Sequence, residues 1–113
     1  MDRERLAAAA EQFRASGLLG KPGSLSRLFD YLLSRTLADE APKEIEIAIQ
    51  VFSKSQGFDV SQDAVVRVYV HKLRRRLNEF YAKAGSTAVG KLTIPKGEYR
   101  IVFETVDRPI ASD

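Results

Sequence analysis

Apolar residues recur at helical spacing through the first half of the chain. Leu6, Ala9, Ala10 and Phe13 form one stripe within residues 3–16, and a run of four alanines favours helix strongly. Gly17 is a natural stop. The stripe is narrow, which predicts a helix at the edge of the domain or one packed against a second copy of the chain. Lys21-Pro22-Gly23 is a turn signal, and Ser24 is the expected N-cap of the next helix. That helix shows Leu25, Leu28, Phe29, Leu32, Leu33, Thr36 and Leu37, the pattern of one buried face, with Asp30 and Arg35 outside it and Pro42 beyond its end. In the segment KEIEIAIQVFS (43–53), Ile45, Ala48, Ile49 and Phe52 make one helical stripe, and Ile47 and Val51 make a second. Alternation over 45–49 also fits a strand. The apolar run continues to Val51-Phe52, which favours a helix buried on two sides.

A loop centred on Gly57 follows, and Ser61 or Asp63 is placed to cap the longest periodic segment. Val66, Val70, Leu73, Leu77 and Phe80 recur there for four turns, and Ala84-Gly85-Ser86 ends it. Tyr69 and Tyr81 flank this stripe and read as core flanks. The runs KLTIP and EYRIVFE, rich in β-branched and aromatic residues, bracket Lys96-Gly97 and predict a hairpin over about 91–104, with Pro95 at a strand end. The tail after Glu104 is expected to fray. The expected fold is mainly α with a small β-hairpin. Its parts are an N-terminal helix over 1–20 that is a candidate dimer contact, a main unit over 21–106 and a tail over 107–113.

Composition narrows the function. The 113 residues make one core, with a hydrophobic fraction of 44% and a charged fraction of 29% that suit a soluble domain. The absence of cysteine excludes a disulfide scaffold and thiolate metal sites, and a single histidine argues against a histidine-based zinc site. No apolar run approaches the ~18 residues of a membrane span. The N-terminus mixes both charge signs without an apolar h-region, so the expected compartment is the cytoplasm. Gly17, Gly20 and Gly23 follow no strand, so they do not form a phosphate-cradling loop. His71 lies in a basic helix and builds no serine–histidine–acid constellation. Asp39/Glu40 and Glu44/Glu46 read as solvated charge or helix-dipole complements. Neither an enzyme nor a cofactor is expected.

Charge distribution is more informative than the net +3. Residues 1–60 carry 8 basic and 9 acidic side chains, whereas residues 64–100 carry 9 basic and only 2 acidic, Glu79 and Glu98. A basic region beside a neutral half fits a polyanion binder, or a solvated helix face. At 100° per residue, the stripe of the long helix clusters within about 60° either side of Val66. Ala64, Val68, His71, Lys72 and Arg75 lie opposite; Arg67, Arg74 and Asn78 occupy one shoulder and Arg76 the other. Helix, short loop, long basic helix and hairpin is the layout of a winged helix-turn-helix, whose second helix enters the major groove of double-stranded DNA. In that geometry Val68 meets a thymine methyl, Lys72 and Arg75 donate to guanine or phosphate, and His71 donates or accepts. The alternative is a solvated face in which Arg67 pairs with Asp63 and Arg75 with Glu79.

Residues 65–77, VVRVYVHKLRRRL, resemble the recognition helix of the OmpR/PhoB-type winged-helix regulators, and TIPKGEYRI (93–101) resembles their wing. The chain is more similar still to a winged-helix domain found at the N-terminus of bacterial proteins with tetratricopeptide or adenylate-cyclase modules. The shared segments run in order as Glu46–Phe52, Val65–Val68, Leu73–Leu77 and Pro95–Tyr99. The resemblance covers about residues 25–104 and implies a winged helix-turn-helix with two additional N-terminal helices. It implies a recognition helix over about 61–84, with base-edge approach by Val68, His71 and Lys72, phosphate contacts by Arg74, Arg75 and Arg76, and wing contact by Lys96. The receiver domain and small N-terminal sheet usual in OmpR/PhoB proteins are not visible here, and Tyr69 stands where they usually have histidine, so control by phosphorylation in cis is not expected. The leading expectation is a transcription regulator that binds DNA as a homodimer. The competing one is a protein-interaction module that docks a regulatory protein partner through the Ile47/Val51 stripe or the first helix.

Overall fold

The computed structural model describes residues 3–54, 57, 59, 63–84 and 90–105. Within them the helical periodicities become α1 (Arg3–Ala15), α2 (Ser24–Leu37), α3 (Glu44–Phe52) and α4 (Val65–Ala84), followed by strands β1 (Gly90–Thr93) and β2 (Val102–Thr105). The protein is mainly helical with one small antiparallel sheet.

The core is built from one face of every helix. Leu28, Phe29, Leu32 and Leu33 of α2, Ile47, Ala48 and Val51 of α3, and Val66, Val70, Leu73 and Leu77 of α4 are buried together. Helix α2 packs on both α3 and α4, and α3 packs on α4. The alternation available to residues 45–49 is not used: α3 is a helix, with Ile47 and Val51 buried and Ile45, Ile49 and Phe52 half-buried. The Ile47/Val51 stripe therefore does not offer a docking face, because α3 spends it on the protein's own core.

Helix α1 belongs to the same core. Leu6, Ala10 and Phe13 are completely buried, and α1 packs against both strands. The Phe13 ring lies 5.1 Å from that of Phe29 and 5.6 Å from that of Phe80, which ties α1 to α2 and α4. Arg14 adds an ion pair at 2.6 Å to Asp30. Of the two placements the sequence allows, this is the edge of the domain: the narrow stripe of α1 is covered by the hairpin and two aromatic rings of the same chain.

Helix ends follow local chemistry, with two departures from expectation. Gly17 takes φ +82° just after α1, as a helix stop should. Ser24 is the first residue of α2 rather than its N-cap; Gly23 occupies that position in extended backbone. Helix α4 begins at Val65 rather than near residue 61, with its first free N–H accepted by Asp63 Oδ1 at 3.0 Å. Ser61, Gly85, Ser86 and the tail beyond Thr105 lie outside the described residues.

The hairpin departs most from its predicted form. Gly90 pairs with Thr105 and Thr93 with Val102, and the ladder stops there. Eight residues, Ile94–Ile101, connect the strands, so Glu98–Ile101 is not strand as the sequence pattern expects. Its tip is a tight turn in which Glu98 N–H donates to Pro95 O and Gly97 takes φ +78°, the conformation a type II turn needs at its third residue. The ladder ends because Ile94 and Ile101 turn inward to the core and their backbone polar groups find partners on the helices. At the other end Gly90 is buried, and a Cβ there would lie 2.8 Å from the Glu104 carbonyl.

If α1 is integral to the core, truncating its anchor should be costly. Phe13→Ala is expected to lower the unfolding free energy by about 3–5 kcal/mol, measured by denaturant titration. A loss below about 1 kcal/mol, the scale of a surface change, would place α1 outside the cooperative unit.

Candidate functional site

Helix α4 buries one face and leaves the opposite face open. Val66, Val70, Leu73 and Leu77 point into the core, while Val68, His71, Lys72 and Arg75 are exposed. At 57%, Val68 is the one large hydrophobic side chain among the described residues that stands exposed. Twenty residues at 1.5 Å rise make α4 about 30 Å long. Val68, His71, Lys72, Arg75, Arg76 and Glu79 line a shallow depression of about 220 Å³ along it.

The basic side chains of this helix divide into two kinds. Among the described residues, Arg75 and His71 have no acidic partner. Lys72 lies with its Nζ 5.4 Å from the centre of the Tyr69 ring, so its stem is braced by the half-buried tyrosine while its charge stays in solvent. Tyr69 and Tyr81 both flank the core, as the periodicity predicts.

The other three arginines are engaged within the chain. Arg76 pairs with Glu79 at 3.1 Å, so the intrahelical pair expected for Arg75 forms one residue later. Arg67 pairs with Glu44 at 3.3 Å rather than with Asp63. Arg74 is half-buried and points to the hairpin: its Nε donates to Ile94 O at 2.8 Å and its Nη2 to Pro95 O at 2.9 Å. Its hydrogen-bonding fork is therefore turned sideways, away from the outward face. The wheel explains this. Arg67 and Arg74 both occupy the shoulder of α4 that faces α3 and the connection between the strands. Lys96 is exposed at the turn that Arg74 touches.

Three residues whose polar contacts the sequence did not reveal fasten the helices to the hairpin and its connection. Glu44, read from the sequence as solvated, has a side chain only 17% exposed, and it accepts from the Tyr99 hydroxyl at 3.2 Å as well as facing Arg67. Thr36 is buried and its Oγ1 accepts the Ile101 N–H at 3.0 Å. Tyr81 does the same for β1, its hydroxyl accepting the Leu92 N–H at 3.0 Å. Glu46, by contrast, keeps a helix-end role, accepting the Lys43 N–H at 2.8 Å at the start of α3. The local sequence gave no sign of the Thr36 and Glu44 contacts, because their partners lie 65 and 55 residues away.

Comparison of the chain with protein-family models, with curated proteins and with solved structures found no match. Among the described residues, no group of three or more histidine, aspartate or glutamate side chains is placed to hold a metal ion, and no helix is long and apolar enough to cross a membrane.

The tyrosines make the corner sensitive to alkali. Burial, and then the adjacent Glu44 carboxylate, hold the Tyr99 hydroxyl above its ordinary value of about 10, against the opposing pull of Arg67 and Arg74. Burial raises Tyr81 in the same direction, against the hydrogen bond from Leu92. The unfolded chain then loses these protons first, so their stabilisation is complete below about pH 10 and is lost as pH rises through the folded values. The unfolding free energy is expected to fall above about pH 10, and the double variant Tyr81→Phe/Tyr99→Phe should show a shallower fall. Equal slopes for the two proteins in denaturant titrations across that range would contradict this.

Proposed function

We propose that this chain is a winged helix-turn-helix domain that binds double-stranded DNA as a sequence-specific transcription regulator. Helices α3 and α4 are the helix-turn-helix pair, α4 lies in the major groove, and the β1–β2 hairpin is the wing on the flanking backbone. The observation that carries this reading is the outward face of α4. One exposed aliphatic side chain, Val68, sits one turn before Lys72 and two turns before Arg75, with His71 between, and no other described element covers them. The major groove presents both a thymine methyl and guanine acceptors, which match an exposed aliphatic side chain beside cations that have no acidic partner among the described residues.

In this reading the arginines have unequal roles. Arg75 and Lys72 are the direct donors to base edges or phosphate, and Lys96 reaches the backbone from the wing. Arg76 and Arg67 contribute from the shoulders, where a phosphate would compete with Glu79 and Glu44 respectively. One such module buries only roughly 600–1,000 Å² of protein surface on DNA. Useful affinity therefore calls for two copies on adjacent half-sites. The apolar stripe of α1 is already covered, so pairing through DNA or through another surface is favoured over pairing through that stripe.

Selection of duplex fragments by the purified protein, followed by fluorescence anisotropy across a salt series, tests the reading. Binding is expected to weaken steeply with salt, and the double variant Lys72→Ala/Arg75→Ala should lose affinity about 30-fold or more and flatten the salt slope by about one to two. Removing two charges elsewhere, with Lys21→Ala/Arg27→Ala, should change affinity far less. Salt-insensitive binding, or equal losses for the two double variants, would count decisively against α4 as the DNA-reading element.

A further inference from the structure

We propose that Arg74 is a positioning residue that pins the turn over Pro95–Glu98 to α4, and so sets Lys96 in fixed register with the His71–Arg75 face; the consequence for DNA rests on the reading above. Its Nε and Nη2 donate to two successive carbonyls, those of Ile94 and Pro95. A planar guanidinium spans two such acceptors at once, which a lysine ammonium, a point donor on a flexible stem, does not. These two carbonyls lie immediately beyond the last ladder pair, Thr93–Val102. Without Arg74 the Ile94 carbonyl is a half-covered acceptor with no strand opposite it. Pro95 O also accepts the Glu98 N–H that closes the turn, so the arginine is attached to the turn's own closing bond.

Among the described residues, the other polar anchors of the connection lie on its far side, with Tyr99 held by Glu44 and Ile101 by Thr36. Polar fastening of the near side, from Ile94 to Lys96, depends on Arg74. A cation at a tip already fixed in place loses less conformational freedom on meeting a phosphate than one on a loose loop. Arg74 has no carboxylate partner among the described residues, and a lysine there keeps the cation without the planar fork, so fork and charge are separable by substitution.

The test uses Arg74→Lys, which keeps the charge and loses the fork, beside Arg74→Met, with cooperative melting of each variant as the folding control. In the free protein, exchange of the Glu98 amide proton followed by NMR is expected to speed up about tenfold or more in both variants, relative to amides of α2. Duplex affinity is expected to fall about three- to tenfold in both, with the salt slope of Arg74→Lys unchanged, and the loss should vanish in a Lys96→Ala background. Wild-type affinity in Arg74→Lys, with loss only in Arg74→Met and a slope lower by about one, would overturn the proposal and make Arg74 a phosphate contact. Losses that simply add to that of Lys96→Ala would overturn it too. If the wild-type protein binds no duplex, the DNA reading fails on its own. The pin is then judged by amide exchange alone: acceleration in both variants upholds it, and unchanged protection overturns it.

Discussion

Everything in this molecule is arranged around the two unlike faces of α4. Each Val or Leu that the helix buries is worth roughly 1.5–3 kcal/mol, and the stripe from Val66 to Leu77 is unbroken. That burial fixes the rotation of the helix about its own axis. Once the rotation is fixed, Val68, His71, Lys72 and Arg75 have no choice but to face outward. The same constraint assigns the shoulders: Arg67 and Arg74 are delivered to α3 and the hairpin, and Arg76 to the opposite side. The other helices add packing that holds this orientation, including α1, whose Phe13 ring is wedged between those of Phe29 and Phe80.

The hairpin shows how polar groups, as well as apolar ones, decide architecture. A buried or half-buried N–H or C=O must find a partner, and a two-stranded sheet offers few. Here the strands separate after four pairs, and the groups released are taken up by three helices. Arg74 of α4 donates to the Ile94 and Pro95 carbonyls, Thr36 of α2 accepts from the Ile101 N–H, and Glu44 of α3 accepts from the Tyr99 hydroxyl. A two-stranded ribbon alone is marginal in water. Fastened in this way, it becomes an extension of the helical core.

Much of this fold was legible from residue spacing. The helical stretches of α2 and α4 fall where the apolar period puts them, because a stripe repeating at i, i+3, i+4 and i+7 has one good solution. The outward residues of α4 were legible for the same reason, since a face opposite a strong stripe is exposed by geometry. The fate of individual charges was not. Arg74, Arg75 and Arg76 are adjacent and chemically identical, yet one grips the hairpin, one is free of acidic partners among the described residues, and one holds Glu79. Glu44 is the helix-end carboxylate it looked like, in the first turn of α3, but it is not solvated: it is a nearly enclosed acceptor between two elements.

Sequence alone determined that α1, α2 and α4 are helical, which of their faces are apolar and which side of the longest helix carries exposed cations, since all three follow from local periodicity and side-chain chemistry; it favoured a helix for α3 while leaving a strand open. Tertiary structure alone decided where the hairpin ladder ends, that the stripes of α1 and α3 are consumed internally, and which arginine meets which partner. Most of those outcomes depend on contacts between residues far apart along the chain, such as Arg74 with Ile94, 20 positions away, and Thr36 with Ile101, 65 positions away. No local pattern encodes such a contact, because it exists only after the core has closed and brought the two segments within hydrogen-bond reach.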